Sequence, residues 1–181
     1  MVSRRDWLDV GLRVLAEDGA PALTVERLSG RLGVTKGSFY HHFKGMGGFK
    51  QDLLAHFEAE CTTGYIERAE QGGGTARDRV ERLMRLVLAD GEDRPPLEPA
   101  MRAWALQDAD VRAAQERVDR ERIAYLAGLW AAIGPAEDAL PTARLLYLVL
   151  VGADHVLPPV GAADLREVYA LALRLVDRGT T

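Results

Sequence analysis

Residues 24–43 read TVERLSGRLGVTKGSFYHHF, and this stretch decides the fold of the first part of the chain. Val25, Leu28 and Leu32 follow Thr24 at the i, i+3, i+7 spacing of one helical face, and a threonine there suits the N-cap of a short helix. Gly33 stops that helix. Thr35 is placed to cap a second one, Lys36 to Phe43, in which Phe39 and Phe43 stand four apart and share a face. Two short helices joined by a glycine-containing turn of about four residues form a helix-turn-helix pattern. At the helical repeat, Gly37, Ser38 and His41 fall opposite the phenylalanines, with Lys36 and Tyr40 along one edge and His42 along the other.

That outer face suits a nucleic-acid duplex. Ser38 and His41 can reach base edges, Lys36 can meet guanine acceptors or phosphate, and Gly37 clears space for backbone or a thymine methyl. Tyr40, His42 and Lys44 are placed for phosphates, which fix register without reading sequence. The helix N-terminus at Thr35 adds free N–H groups and a positive dipole end, and Thr24 is counted with these contacts. The same spacing also fits a solvated helical hairpin whose polar residues are incidental.

Working outward, Leu8, Leu12 and Leu15 mark an amphipathic helix from Ser3 to Asp18, stopped by Gly19. Three glycines (Gly45, Gly47, Gly48) form a joint, after which Phe49, Leu53, Leu54 and Phe57 begin a helix reaching about Glu70. Thr75 caps the next, with Val80, Leu83, Met84, Val87 and Leu88 as its stripe. A proline-rich linker, Gly91 to Pro99, leads to a short helix around Ala100 to Leu106. A long helix from Asp108 carries Val111, Ala114, Val118, Tyr125 and Leu129, a series interrupted by Arg122. Pro141 fits the first turn of a helix from Thr142 to about His155, and Asp164 caps the last one. No segment alternates with period two, so the chain reads as all-α. The run Leu145 to Val151 could be a strand by composition, but it has no second strand to pair with.

A helix apolar all round must be covered on every side, and a second copy is the expected cover. The expected interface comprises Leu145, Leu148 and Val149 with Leu165, Val168, Ala172 and Leu175.

Composition narrows the class. With 181 residues, 48% hydrophobic and 28% charged, the chain is excluded from disordered, collagen-like and disulfide-scaffold classes. A net charge of -4 argues weakly against a nucleic-acid partner until it is divided. The first fifty residues carry eight Lys and Arg against five Asp and Glu, and the remainder fifteen against twenty-two. Contact with an anionic partner is therefore expected at the N-terminal part. The single cysteine, Cys61, forms no intrachain disulfide, and the N-terminus lacks a signal-like apolar run, so a cytoplasmic location is expected. No stretch approaches the roughly 20 apolar residues of a membrane span.

The segment from Trp7 to Leu54 closely resembles the DNA-binding domain of the TetR family of bacterial transcriptional regulators. Val25 to Leu28, Gly33-Val34-Thr35-Lys36-Gly37-Ser38-Phe39-Tyr40-His41-His42-Phe43 and Leu53-Leu54 carry the likeness. The resemblance implies a three-helix reader, residues 1–46, on a larger helical domain, residues 47–181, that binds an inducer and dimerises through its last two helices. It implies a homodimeric repressor of a double-stranded operator before an activator, which sequence does not exclude. The competing class is a helical binding module that holds a small molecule or another protein. One position departs from the family pattern: a lysine usual at the start of the fourth helix is Met46 here. Either Lys44 or Lys50 takes over its phosphate contact, or the joint is loose and the helix begins only at about Gly48 or Phe49.

For the inducer pocket, Tyr65, Met84, Met101, Trp104, Tyr125 and Trp130 stand at inward helical positions, where they could equally be ordinary core. No histidine follows a glutamate by three, no Gly-x-Ser-x-Gly occurs, and Gly72 to Gly74 lack a following Lys-Ser or Lys-Thr. Neither an enzyme nor a cofactor or metal site is expected.

Overall fold

The computed structural model describes residues 2–90 and 97–179, with side chains through residue 89 and from 97 to 174. Its α-helices are α1 (Arg4–Asp18), α2 (Val25–Leu32), α3 (Lys36–His42), α4 (Gly45–Glu58) and α5 (Gly64–Glu70), then α6 (Ala76–Asp90), α7 (Leu97–Ala105), α8 (Ala109–Ala131), α9 (Ala136–His155) and α10 (Ala162–Gly179). Among the described residues there is no strand, as the lack of period-two alternation requires. The chain forms two compact units. Met1–Cys61 with Pro95–Glu116 make the first, and Thr62–Arg94 with Arg117–Thr181 the second.

In the first unit α1 starts at a reciprocal cap: Ser3 Oγ accepts from the Asp6 N–H, and Asp6 accepts from the Ser3 N–H at 2.7 Å. Thr24 Oγ1 accepts from the Arg27 N–H at 3.1 Å and starts α2. Gly33 ends α2 with φ +67, a left-handed conformation in which an L side chain crowds its own backbone. Nothing lies within 4 Å of a Cβ placed there, so the cost of filling it is purely local. Gly33→Ala is expected to lower the unfolding free energy by about 1–2 kcal/mol in chemical denaturation.

The joint to α4 is tighter than the count of glycines suggested. The helix begins at Gly45, not at Gly48 or Phe49, because Gly45 alone makes the turn with φ +76 and Gly47 and Gly48 fall within the first helical turn. Trp7, Phe39, Phe49 and Leu53 are fully buried around an aromatic cluster, in which Trp7 meets Phe39 edge-on at 5.4 Å and Phe39 lies 5.1 Å from Phe43.

This unit is larger than the 1–46 segment. Helix α7 packs on α1; Met101 is fully buried and Trp104 rests against the aromatic cluster. The helix starts at Leu97 rather than Ala100, since Pro99 fits a first turn that needs no N–H from it. Part of the expected linker, residues 91–96, lies outside the described residues.

A π-helical segment, Ala59–Thr63, directly precedes α5, and the second unit begins within it at Thr62. Thr75 and Asp78 form the cap of α6: the Asp78 N–H donates to Thr75 Oγ1 at 3.2 Å, and the Thr75 N–H to Asp78 at 2.8 Å. Helix α9 begins at Ala136, so Pro141 sits inside it and removes one backbone hydrogen bond instead of opening the helix. Asp164 is likewise inside the first turn of α10, where its charge faces the positive helix end without capping it. Val80, Leu129, Trp130, Ala143, Leu146, Leu165 and Tyr169 build the core.

Arg122, the odd residue in the apolar series of α8, has partners. Its Nε donates to Thr62 Oγ1 at 3.0 Å and its Nη1 to the Tyr147 hydroxyl, which in turn donates to Asp119 at 2.7 Å. The buried Thr62 thereby places a hydrogen-bonded side chain in the π-helical segment.

Candidate nucleic-acid interface

Phe39 and Phe43 are 0% and 3% exposed, whereas Tyr40 on the same helix is 62% exposed. Burying two phenylalanines four apart forces the rest of α3 outward. Lys36, Gly37, Tyr40 and His41 are exposed, and Ser38 and His42 half-buried. Thr24, Thr35 and Lys44 lie exposed at helix ends. Thr35 occupies the N-cap position of α3, but its hydroxyl makes no bond to the helix; the Ser38 N–H is held by the Thr35 carbonyl at 3.0 Å instead. The expected side-chain cap is thus a backbone one. Lys36 Nζ lies 3.5 Å from Glu26, and since both are strongly exposed the pair is weak and exchangeable.

Most other cations of this unit are already matched. Arg27 bonds Asp18 at 2.6 Å, and Arg31 bonds Glu17 at 2.6 Å, tying α2 to α1. The Arg27 bond chiefly holds the Asp18 carboxyl below its ordinary range, and the Glu17 bond chiefly raises Arg31. Arg4 pairs with Asp52 and Arg5 with Glu60. Lys50 Nζ stands 2.6 Å from Asp110 and 3.0 Å from Asp108. Hydrogen bonds to Asp110 first and Asp108 second push the Lys50 ammonium up, and the Lys50 bond is the main cause that holds Asp108 down. Arg13 and Lys44 are exposed and make no ion pair among the described residues. Met46, at the departing position, is half-buried and packs against the aromatic cluster.

The exposed face of α3 presents hydroxyl, imidazole, phenol and ammonium groups, a chemistry suited to base edges and phosphates. Residues 8–55 match the family model of bacterial regulatory proteins of the tetR family. That segment of the chain, about a quarter of its length, is similar to the N-terminal domain of the TetR family. The chain carries an N-terminal helix-turn-helix of that type followed by a helical C-terminal part, which supports a DNA-binding transcriptional regulator. The reduced form of E. coli NemR superposes with a TM-score of 0.76 at 22% identity, covering 98% of this chain and 97% of that one. A TetR-family transcriptional regulator from Streptomyces coelicolor gives 0.79 at 18% identity, covering 98% and 89%, and a TetR regulator from Legionella pneumophila 0.78 at 12%, covering 100% and 98%. At these identities the solved structures show a shared fold. No curated protein matches the chain.

The rest of the chain redistributes the other expected sites. Val80, Leu83, Met84, Val87, Leu126, Leu146, Tyr147, Leu150 and Tyr169 are among the residues lining an apolar cavity of about 50 Å3. Of the six residues expected to line a pocket, Met84 alone is there. Met101 and Trp104 belong to the first unit, because α7 docks on α1. Trp130 is buried in core, Tyr125 donates to Glu70 at 2.7 Å, and Tyr65 is covered by Arg68, whose guanidinium carbon lies 4.4 Å from the ring centre. Half of the lining is the α6 stripe visible in the sequence; which part of a stripe is left unfilled depends on residues far along the chain. Tyr169 donates to the Leu146 carbonyl at 3.0 Å, and burial pushes its phenol well up.

The apolar positions of α9 and α10 also divide. Leu165 and Ala172 are buried in the chain's own core and Val149 packs against it, which removes Leu165 and Ala172 from a surface for a second copy. Leu145, Leu148 and Val168 are exposed, and so are Leu140 and Leu171, which the helical spacing did not single out. The Leu175 side chain lies outside the described residues. Among the described residues no helix is long and apolar enough to cross a membrane, and no cluster of metal ligands occurs.

Proposed function

We propose that this chain is a homodimeric repressor, released from a pseudo-palindromic operator by a small apolar ligand. The observation that carries the reading is the division of α3 into a buried phenylalanine face and an exposed face bearing Lys36, Gly37, Tyr40 and His41. Set in the major groove, that face brings Ser38 and His41 to base edges, with Tyr40, His42 and Lys44 against phosphates. Two such helices about one DNA turn apart read two half-sites. The exposed Leu140, Leu145, Leu148, Val168 and Leu171 supply an apolar surface for the second copy.

The cavity sets a condition on the ligand part of the reading. At about 50 Å3 it is far below the roughly 300 Å3 that holds a drug-sized molecule, so an inducer fits only a widened body. A ligand that binds the widened state better shifts the population toward it by that difference in affinity, and DNA affinity falls if the widened state spaces the readers wrongly.

The test is selection of duplexes from a randomised pool, followed by footprinting and titration across salt. A footprint with two-fold symmetry and a steep fall of affinity with salt are expected; binding that ignores sequence at every salt concentration overturns the reading. His41→Ala should lose about 1–3 kcal/mol of discrimination between the selected and a mixed-sequence duplex, whereas Lys44→Ala should weaken both alike.

A further inference from the structure

Lys50 holds an unusual place for a cation in the reader. It stands soon after the Gly45-x-Gly47-Gly48 turn of α4, a start that has no side-chain cap. Its ammonium is gripped by two carboxylates, with contacts of 3.0 and 3.2 Å to Asp108 and 2.6 Å to Asp110, and three quarters of its side chain is shielded from solvent. The acceptor is itself built. Asp108 Oδ1 receives the N–H groups of Asp110 and Val111 at 3.0 and 3.2 Å and so caps α8. Arg112 closes the same turn by donating to the carbonyls of Ala105 and Leu106 at 3.1 and 3.2 Å. All of these residues lie in the first compact unit.

A charge-assisted pair shielded to this degree fixes a side chain in a way that an exposed pair does not. Lys44, by contrast, is exposed at the head of α4 with no partner among the described residues. We infer that Lys50 is a positioning residue: by clamping α4 to the α7–α8 turn it fixes the first turn of α4, and so places Lys44 as the phosphate contact that Met46 cannot make. The inference rests on the DNA-binding reading above.

Glycine at three of the first four positions of α4 leaves that turn many backbone conformations to lose on ordering. The Lys50 clamp and the packing of Met46 restrict them from the far side of the turn. Lys44 follows, because it is joined to Gly45 directly.

The experiment compares variants on a duplex selected from a randomised pool by the unmodified protein and on a mixed-sequence duplex of equal length. If Lys44 contacts phosphate, Lys44→Gln reduces the slope of log affinity against log salt by about 0.9 per reader on both duplexes. Lys50→Met is expected to lower that slope on both duplexes by a similar amount in the parent chain but to add nothing once Lys44→Gln is present, with the preference between duplexes unchanged and Lys50→Arg retaining most of the slope. Asp110→Asn, which removes the more exposed partner and leaves the α8 cap intact, should move the salt slope in the same direction, and it serves if Lys50→Met does not fold. A slope that falls further when Lys50→Met is added to Lys44→Gln makes Lys50 a phosphate contact in its own right and overturns the inference, as does a slope unchanged in both Lys50→Met and Asp110→Asn. Failure of the unmodified protein to select any duplex removes the underlying reading instead, a separate result.

Discussion

Trp7→Ala is expected to destabilise the first unit by about 3–5 kcal/mol and to abolish specific DNA binding at temperatures where the parent chain still binds. Trp7 is fully buried and meets both inner phenylalanines of α3 edge-on, Phe39 at 5.4 Å and Phe43 at 6.5 Å. Its removal leaves a void directly behind the recognition helix. A loss of this size is a large part of the roughly 5–15 kcal/mol that holds a typical domain together. The indole N–H is buried and has no acceptor among the described residues, so the ring acts by packing alone. Trp7→Phe should therefore recover most of the stability, which denaturant titration of the two variants measures. Equal losses in both would assign the indole a polar role.

The second large effect concerns assembly. Leu148 is 67% exposed near the middle of α9, so Leu148→Arg should leave the helical content and melting of the isolated chain close to those of the parent. In sedimentation it should turn a dimer into a monomer. A monomer engages one half-site at a time and loses the effective concentration that links the second, so operator affinity should fall by about 10²–10⁴-fold. A variant that stays dimeric places the interface elsewhere.

The recognition helix was legible because its signals are local: a phenylalanine pair four apart, a glycine that must turn left-handed, and threonines at two helix starts. Even there Thr35 holds the turn through its carbonyl and not its hydroxyl. At the joint, counting glycines suggested slack, yet Gly45 alone makes the turn and α4 begins there. What local pattern could not supply was partnership. Nothing near Lys50 announces Asp108 and Asp110, which lie some sixty residues away. Met101 and Trp104 look like pocket residues on an amphipathic helix; the docking of α7 on α1 decides otherwise. On α9, apolar on every side, spacing gives no means of telling Leu146, turned to the core, from Leu148, turned to solvent. Arg122 is a similar case: in the sequence it only interrupts an apolar series, and its partners Thr62 and Tyr147 stand 60 and 25 residues away.

The docking of α7 on α1 also orders events during synthesis. The reader's core takes Trp104 from a stretch that leaves the ribosome well after α4, and the compact unit closes only at Glu116. A nascent chain ending soon after α4 therefore exposes aromatic surface that the finished protein covers, and shortened products carrying the recognition helix alone should be poor rivals for the operator.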